Sequence, residues 1–409
     1  MQTKIAISAE PGKSRLMQDG VNYFRLLAIV TNPMSSSAKH VILSVVSDLV
    51  SDQRVHRTAL ALHRKGLKVT LIGRERKASP KMDDRAYATV RFRLLWEKGP
   101  LFYASFNIRL LFYLIFHKAD VLVANDLDTL PANFIASKLK GSALYYDSHE
   151  YFTEVPELVH RPRVQAIWKR IEKWILPKIH HMYTVNESIA GLYSQEYKIP
   201  VAVVRNVPFR RHQNQSVPNR ASLGLPADKK IFIFQGAGIN VQRGAEEVIE
   251  AMQFTTDLIL LFVGTGDVID FLKSEQKRLH LESKVVFVPR QSMEKLREYT
   301  LNSDFGISID KDTNLNYRYS LPNKLFDYIQ AEIPVFVSDL PEVRKIVEKY
   351  DIGVISNSHD PGTLATLMMK MAGDEFRLAQ WKENLKLAAA DLCWENEEQK
   401  LLEIFKDVC

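Results

Sequence analysis

Cysteine is scarce in this 409-residue chain, with Cys393 and Cys409 the only two and no CxxC spacing between them. That excludes a disulfide framework and a cysteine-based zinc site as organising devices. No secretory n-region and h-region opens the sequence, so the expected compartment is the cytoplasm. The most apolar stretch, LFYASFNIRLLFYLIF (101–116), is interrupted by Asn107 and Arg109 and is too short to span a bilayer comfortably. It reads as a core helix first and as an interfacial helix touching a membrane second. Helix-turn-helix, zinc-finger and RNP-type signatures are missing, which argues against nucleic acid as a partner. Internal repeats and low-complexity runs are missing as well.

What the chain does have is an ordinary globular composition, 46% hydrophobic and 25% charged, at a length that suits two or three domains. Charge is unevenly spread. Residues 1–210 carry 31 Lys and Arg against 18 Asp and Glu, a net of +13, whereas residues 211–409 carry 24 against 30, a net of −6. A basic front half suits anionic lipid headgroups or a phosphorylated acceptor, or is simply a solvated face.

Strand and helix patterns alternate, which argues for parallel α/β layers. HVILSVVS (40–47) and GLKVTLIGR (66–74) flank a helix that ends near Lys65. ADVLVANDLDTLP (119–131) and SALYYDSHE (142–150) follow, with a helix from about Ala132 to Lys140 between them. HMYTVNESIA (181–190) and VAVVRNVP (201–208) complete the first half. Ligands of open α/β sheets bind outside the carboxyl ends of strands, which singles out Asp126, Asp128, Asp147, His149 and Glu150. A polar segment with proline and glycine (209–230) precedes further strands at 231–238, 258–266, 284–289 and 304–310. RLLAIVTN (25–32) is an extra strand or helix without a functional account.

The stretch from Ser320 to Val343 is the most informative. Ser320 suits a helix cap, Pro322 the first turn, and Leu325, Phe326 and Ile329 recur at helical spacing. Pro334 ends the helix before the buried strand Val335–Val337. Lys324 is out of place, because a cation in a helix's first turn opposes the dipole unless an anion sits on the bare amides. Asp327 lies one turn on, near the same face. Phosphate at the amides and sugar hydroxyls at the carboxylate together suit a nucleotide diphosphate.

The same segment resembles the donor-site helix of retaining glycosyltransferases of the GT-B fold, family 4, in the variant S-x-P-N-K-L-F-E-Y. The resemblance extends over roughly residues 40–409. It takes in SDQRVHRTALALHRKGLKVTLIGR (51–74), ANDLDTLP, YDSHEYFTEVPEL, FQGAGINVQRGAEEVIEAM (234–252), LLFVGTG and WENEEQKLL. It implies an α/β protein with two Rossmann-like domains facing each other across a central cleft. The expected layout is an N-terminal extension (1–39), an acceptor domain (40–208), a linker (209–230), a nucleotide-sugar domain (231–385) and a C-terminal helix (386–409) packing back across the domains.

The implied activity is retaining transfer of a sugar from a nucleotide diphosphate sugar to an acceptor hydroxyl, in cell-surface polysaccharide or glycolipid synthesis. The donor is a substrate, and no cofactor or metal is implied. Asp126-Leu-Asp128 has the spelling of a metal-binding motif but lies in the wrong domain for the donor diphosphate. In this reading Arg243, Lys324 and the amides around Pro322 and Asn323 meet the diphosphate, and Asp327 holds the ribose. Gly236 and Gly238 admit the diphosphate or simply make a turn. His149 lines the sugar pocket near the reacting carbon. Asp126 and Asp128 bind acceptor hydroxyls or cap the helix after Pro131, while Glu150, Tyr317 and Tyr319 border the sugar or acceptor. The expected partners are the donor, a glycan or lipid-linked acceptor and an anionic membrane surface, with a peripheral position on its inner face.

Three residues depart from the family pattern. Tyr319 stands where a glutamate is commonest, Asp327 replaces glutamate, and Glu332 takes the place of a helix-ending glycine, where a left-handed backbone costs roughly 1 kcal/mol. The last two motivate a non-catalytic scaffold of the same fold as one alternative. A nucleotide-sugar epimerase is another, and a phosphorylase would need a cofactor-lysine motif that is missing.

Overall fold

Apolar β-branched runs with helical crossovers build two parallel sheets, each buried on both faces. The computed structural model describes residues 38–210 and 219–409. The RLLAIVTN stretch and residues 211–218 of the expected linker lie outside the described residues.

In the first sheet, β1 (His40–Asp48), β2 (Lys68–Glu75), β3 (Ala88–Arg93), β4 (Val121–Asn125), β5 (Ala143–Ser148), β6 (His181–Thr184) and β7 (Ala202–Val203) are ordered β3-β2-β1-β4-β5-β6-β7. Every pairing is parallel, with Leu43 of β1 level with both Leu71 and Val123. Its helices include α1 (Gln53–Arg64), α2 (Gly99–Phe116), α3 (Leu130–Lys140), α4 (Pro162–Ile175) and α5 (Glu187–Tyr197). Helix α1 shows why they form. Asp52 caps the Val55 amide, His63 and Arg64 complement the dipole in the last turn, and Val55, Ala59 and Leu62 make one buried stripe.

The second sheet orders β8 (Lys230–Gly236), β9 (Leu258–Gly264), β10 (Val285–Val288), β11 (Phe305–Ser308), β12 (Val335–Ser338) and β13 (Gly353–Ser356) as β10-β9-β8-β11-β12-β13, again all parallel. Around it lie α6 (Ala245–Ala251), α7 (Ile269–Arg278), α8 (Met293–Leu301), α9 (Asn323–Gln330), α10 (Pro341–Tyr350), α11 (Pro361–Gly373) and α12 (Glu375–Asp391). Strand order reverses at β1/β4 and at β8/β11, and crevices open beyond the strand ends at those points.

The structure differs from the sequence reading at several places. Strands β3 and β13 escape the reading, and both are sheet edges. The run 101–116 is a core helix on one stripe only. Phe102, Phe106, Leu110 and Leu114 are buried, while Leu101, Ile108, Phe112 and Phe116 face outward, Phe116 with 78% exposure. Neither Asp126 nor Asp128 caps the helix after them, because Thr129 occupies the cap position of α3. Ser320 does not cap α9; its hydroxyl donates to the Tyr317 carbonyl at 2.9 Å and Pro322 takes the cap position. Glu332 does adopt the left-handed backbone, at φ 56°.

The C-terminal segment is two helices, with α13 (Trp394–Ile404) beginning after a break at Leu392 and Cys393. Beyond α13, the fully buried Phe405 stacks on Tyr145 at 4.3 Å and meets Tyr183 edge-on, so the chain ends against the first sheet. Truncating such a ring leaves a cavity in a close-packed core. Phe405→Ala is expected to lower unfolding free energy by about 3 kcal/mol in chemical denaturation. Unchanged stability would mean that this ring contributes no packing.

Candidate active site

Tyr328 sets the position of α9. Its hydroxyl donates to the carbonyls of Ile233 in β8 (3.2 Å) and Ile307 in β11 (3.1 Å). The ring lies where a Cβ on Gly306 would sit, so glycine is what lets the helix approach the strand this closely. Docked this way, α9 presents an N-terminus with no side-chain cap and no acid in its first turn.

Beside that N-terminus two cations converge on one acid. Asp310, buried just beyond β11, has its Oδ1 3.4 Å from the Arg243 guanidinium and 3.7 Å from Lys324 Nζ. Both distances exceed hydrogen-bond length, so donors of both cations remain available to a ligand. Arg243 lies 4.2 Å over the Tyr317 ring and Lys324 lies 4.3 Å over Phe234, which holds each charge in place. Burial and the neighbouring Arg243 lower the Lys324 pKa, and Asp310 opposes them. The arrangement suits an anion that adds a second counter-charge.

Asp327 is half-buried and accepts from Gln235 Nε2 at 3.2 Å. Thr300 holds the other end of that amide at 2.7 Å. Burial pushes the Asp327 carboxyl up to about 7, against the Gln235 hydrogen bond and the charges of Arg57 and Arg297. Arg57 comes from α1 in the first domain, where it hydrogen-bonds Asn206; Asn206 in turn donates to Asn323 at 2.9 Å.

A cavity of about 800 Å³ opens between the two domains, a size typical of ligand sites. Asn323, Lys324, Asp327, Gln235, Gly236 and Gly264 line one wall. The carboxyl ends of β1 and β2 and the segments after them, including Asp48, Gln53, Arg74 and Arg76, line the other. A Cβ on Gly264 would strike the Gly236 carbonyl, so the two loops that floor the cavity close on each other only because this residue is glycine.

His149 lies at the carboxyl end of β5, outside the cavity lining, between two acids. Its Nδ1 is 3.0 Å from Asp126 and its Nε2 is 3.3 Å from Asp147, while its amide donates to Asp126 at 2.8 Å. Arg54 clamps Asp147 with contacts of 2.5 and 3.1 Å. Burial lowers the His149 pKa, but the two carboxylates override it and hold it well above its ordinary value. Asp128 is buried and keeps its proton well above the usual range through burial and Asp126. Glu150, pushed up to about 7 by burial and Asp126, accepts from Asn316 at 3.1 Å.

The structure therefore gathers Gly236, Asn323, Lys324 and Asp327 on one wall, with Arg243 joined to them through Asp310. Asp126, Asp128, His149 and Glu150 form a separate group on the first domain. Asn316 bridges this group to the second domain, because its Oδ1 also accepts from the Tyr151 amide at 3.0 Å. Gly238 and Pro322 do not line the cavity, and Tyr319 acts as a spacer whose carbonyl accepts from Asn186 at 2.8 Å. Sequence reasoning missed Asp310, Gln235, Arg54 and Arg57. Asp310 follows an apolar strand end, a signal that could have found it; Arg57 sits inside a helix and carries no such signal.

Two family models match adjoining parts of the chain, "Glycosyltransferase Family 4" over residues 52–207 and "Glycosyl transferases group 1" over residues 217–388. Among solved structures, sucrose-phosphate synthase of Thermosynechococcus elongatus superposes with a TM-score of 0.74 at 16% identity, over 90% of this chain and 99% of that one. HepE of Anabaena in complex with UDP-glucose gives 0.67 at 14% identity, over 90% and 100%. WaaG, a glycosyltransferase involved in lipopolysaccharide biosynthesis, gives 0.67 at 14%, over 89% and 99%. A curated sequence, cation/H⁺ antiporter 10 of Arabidopsis thaliana, is 24% identical over 155 residues, which is 37% of this chain but 18% of that protein.

The raised Asp327 pKa sets a pH dependence. Folding takes up a proton between the ordinary value of 3.8 and about 7, so this group makes stability fall as pH rises through that window. Asp327→Asn removes the term. Its stability relative to the parent is expected to grow by roughly 1–3 kcal/mol from pH 4 to pH 8 in urea unfolding, after discounting for partial exposure. A pH-independent difference would show that the carboxyl is already ionised in the folded protein.

Proposed function

Since this chain belongs to the glycosyltransferases of the GT-B fold, we propose that it moves a sugar from a nucleotide diphosphate sugar to an acceptor hydroxyl with retention of configuration. The observation that carries the reading is the convergence of Arg243 and Lys324 on Asp310 beside the uncapped α9. The diphosphate rests on these cations and amides, and Asp327 accepts the ribose hydroxyls. As the bond from anomeric carbon to diphosphate oxygen breaks, its electron pair stays on that oxygen, where the fixed positive charges meet it. The acceptor hydroxyl attacks the same face, and the departing phosphate oxygen takes its proton. His149, clamped between Asp126 and Asp147 with its pKa raised by both, supplies positive charge on the acceptor side rather than a base. No step calls for a metal, and activity should persist in EDTA.

The donor assignment draws support from HepE, whose complexes hold UDP and UDP-glucose. A role in cell-surface polysaccharide or glycolipid synthesis draws on WaaG. The decisive assay is release of nucleoside diphosphate from a panel of labelled nucleotide sugars. Lys324→Ala and Arg243→Ala are expected to lower turnover by 10²-fold or more, about 2.7 kcal/mol, with the fold retained by circular dichroism. Wild-type rates in both variants would sink the donor site, and no release from any sugar would favour the scaffold alternative.

We further propose that the first domain rests on an anionic membrane from the cytoplasmic side. Helices α2, α3 and α4 lie side by side, Tyr103 meeting Trp168 and Phe134 meeting Trp174. Their outer faces expose Ile108, Phe112, Phe116, Leu139, Ile167 and Trp174. Lys138 and Lys178 sit over Phe134, the mixture of aromatic and basic groups that suits a headgroup layer. Each cation near an anionic surface contributes roughly 1 kcal/mol, screened over about 10 Å at 0.1 M salt. The chain should float with phosphatidylglycerol liposomes at low salt and be released by 0.5 M NaCl. Equal recovery with neutral and anionic liposomes would assign this face to another partner.

A further inference from the structure

The first-domain wall of the cavity is more basic than a neutral sugar acceptor requires. Arg74 is the penultimate residue of β2 and Arg76 follows the strand, and both line the cavity opposite Lys324. Neither takes part in an ion pair among the described residues. The acid beside them, Asp48, is already committed: it accepts from Arg91 at 3.1 Å, from the Val50 amide at 3.2 Å and from the Ser79 hydroxyl. It therefore does little to neutralise Arg74 or Arg76.

Arg74 is also held in place. Its guanidinium donates to the Glu97 carbonyl at 3.3 Å and lies 4.7 Å over the Phe102 ring, while its buried Nε has no hydrogen-bond partner. A buried donor without an acceptor costs free energy of order 1–3 kcal/mol, so the fold bears a cost to hold this guanidinium at the wall. The N-terminus of α1 reaches the same wall through Ser51 and Gln53, but the Asp52 carboxylate already caps its Val55 amide, so the positive charge of this wall comes from Arg74 and Arg76. Planar guanidinium groups with fixed geometry select phosphate and carboxylate over hydroxyls.

We propose that the acceptor carries an anionic group, a phosphate or a carboxylate, seated on Arg74 and Arg76 while its hydroxyl faces the donor. This rests on the glycosyl-transfer reading, because it assigns the wall across from the donor to the acceptor. The anion belongs either to a soluble sugar phosphate or to a lipid-linked one, and both present the same chemistry to the two arginines.

The test uses the full chain and keeps the two readings apart. A thermal shift with UDP, ADP or GDP checks the donor site first, and no shift with any of them counts against glycosyl transfer itself. Inorganic phosphate is then titrated by calorimetry at constant ionic strength, with the best nucleoside diphosphate held at saturation so that the donor cations are occupied. The parent is expected to bind phosphate, and the Arg74→Gln/Arg76→Gln double variant to bind it about tenfold more weakly, with nucleotide affinity unchanged. Competition by glucose 6-phosphate or by phosphatidic acid vesicles then assigns the soluble or the lipid source, and glucose serves as the neutral control. The proposal is overturned if the parent binds no phosphate, if the double variant binds it equally, or if nucleotide affinity falls by the same factor. The last result would place the arginines in the donor site.

Discussion

Arg243 and Lys324 carry like charges and would drift apart without the Asp310 carboxylate between them. Repulsion at such separations is worth several kcal/mol in a partly buried setting. The buried acid turns that repulsion into a fixed pair. Its own position follows from β11, which is locked between β8 and β12 by parallel pairing. Tyr328 ties α9 to the same strands, so the helix N-terminus, Lys324 and the acid are all positioned by one set of strands.

The first domain solves the opposite problem. There the charges alternate in a closed ladder, Arg54 to Asp147 to His149 to Asp126, and each group is answered by the next. Arg54 also donates to the Val204 carbonyl at 3.1 Å, which ties the ladder to the last strand of the sheet. A closed ladder of buried charge resists the loss of any member, since each removal strands its neighbour. The second domain leaves Lys324 open toward the cavity, whereas the ladder around His149 is paired within itself and stands outside the cavity lining.

Much of this was legible in the sequence where local pattern and global role coincide. Val41–Val45 and Ile231–Phe234 are continuous apolar runs because central parallel strands are buried on both faces. Lys324 announced itself by opposing a helix dipole. The edge strands did not announce themselves. ATVRFR puts two arginines in β3, one of them turned in to pair with Asp48 and Glu75, and GVIS is four residues long and starts with glycine. Which face of α2 is buried was hidden as well, because its outward face is as apolar as its inward one. Asp310 and Arg57 act through partners remote in sequence, Arg243 and Lys324 for one and Asn206 for the other, and no local signal encodes such meetings.

The ending of the chain on the first sheet has a mechanical consequence. The polypeptide passes from the first domain to the second after β7 and returns between α12 and α13, so the domains are joined by two covalent crossings. The crossings touch, since the Trp394 amide donates to the Pro208 carbonyl at 2.8 Å. A single tether would act as a swivel, free to turn in every direction. Two tethers pinned side by side act like a door hung on a pair of hinges, which leaves one easy motion and makes twisting costly. The paired crossings thereby constrain how Arg243 and Lys324 face the first-domain wall.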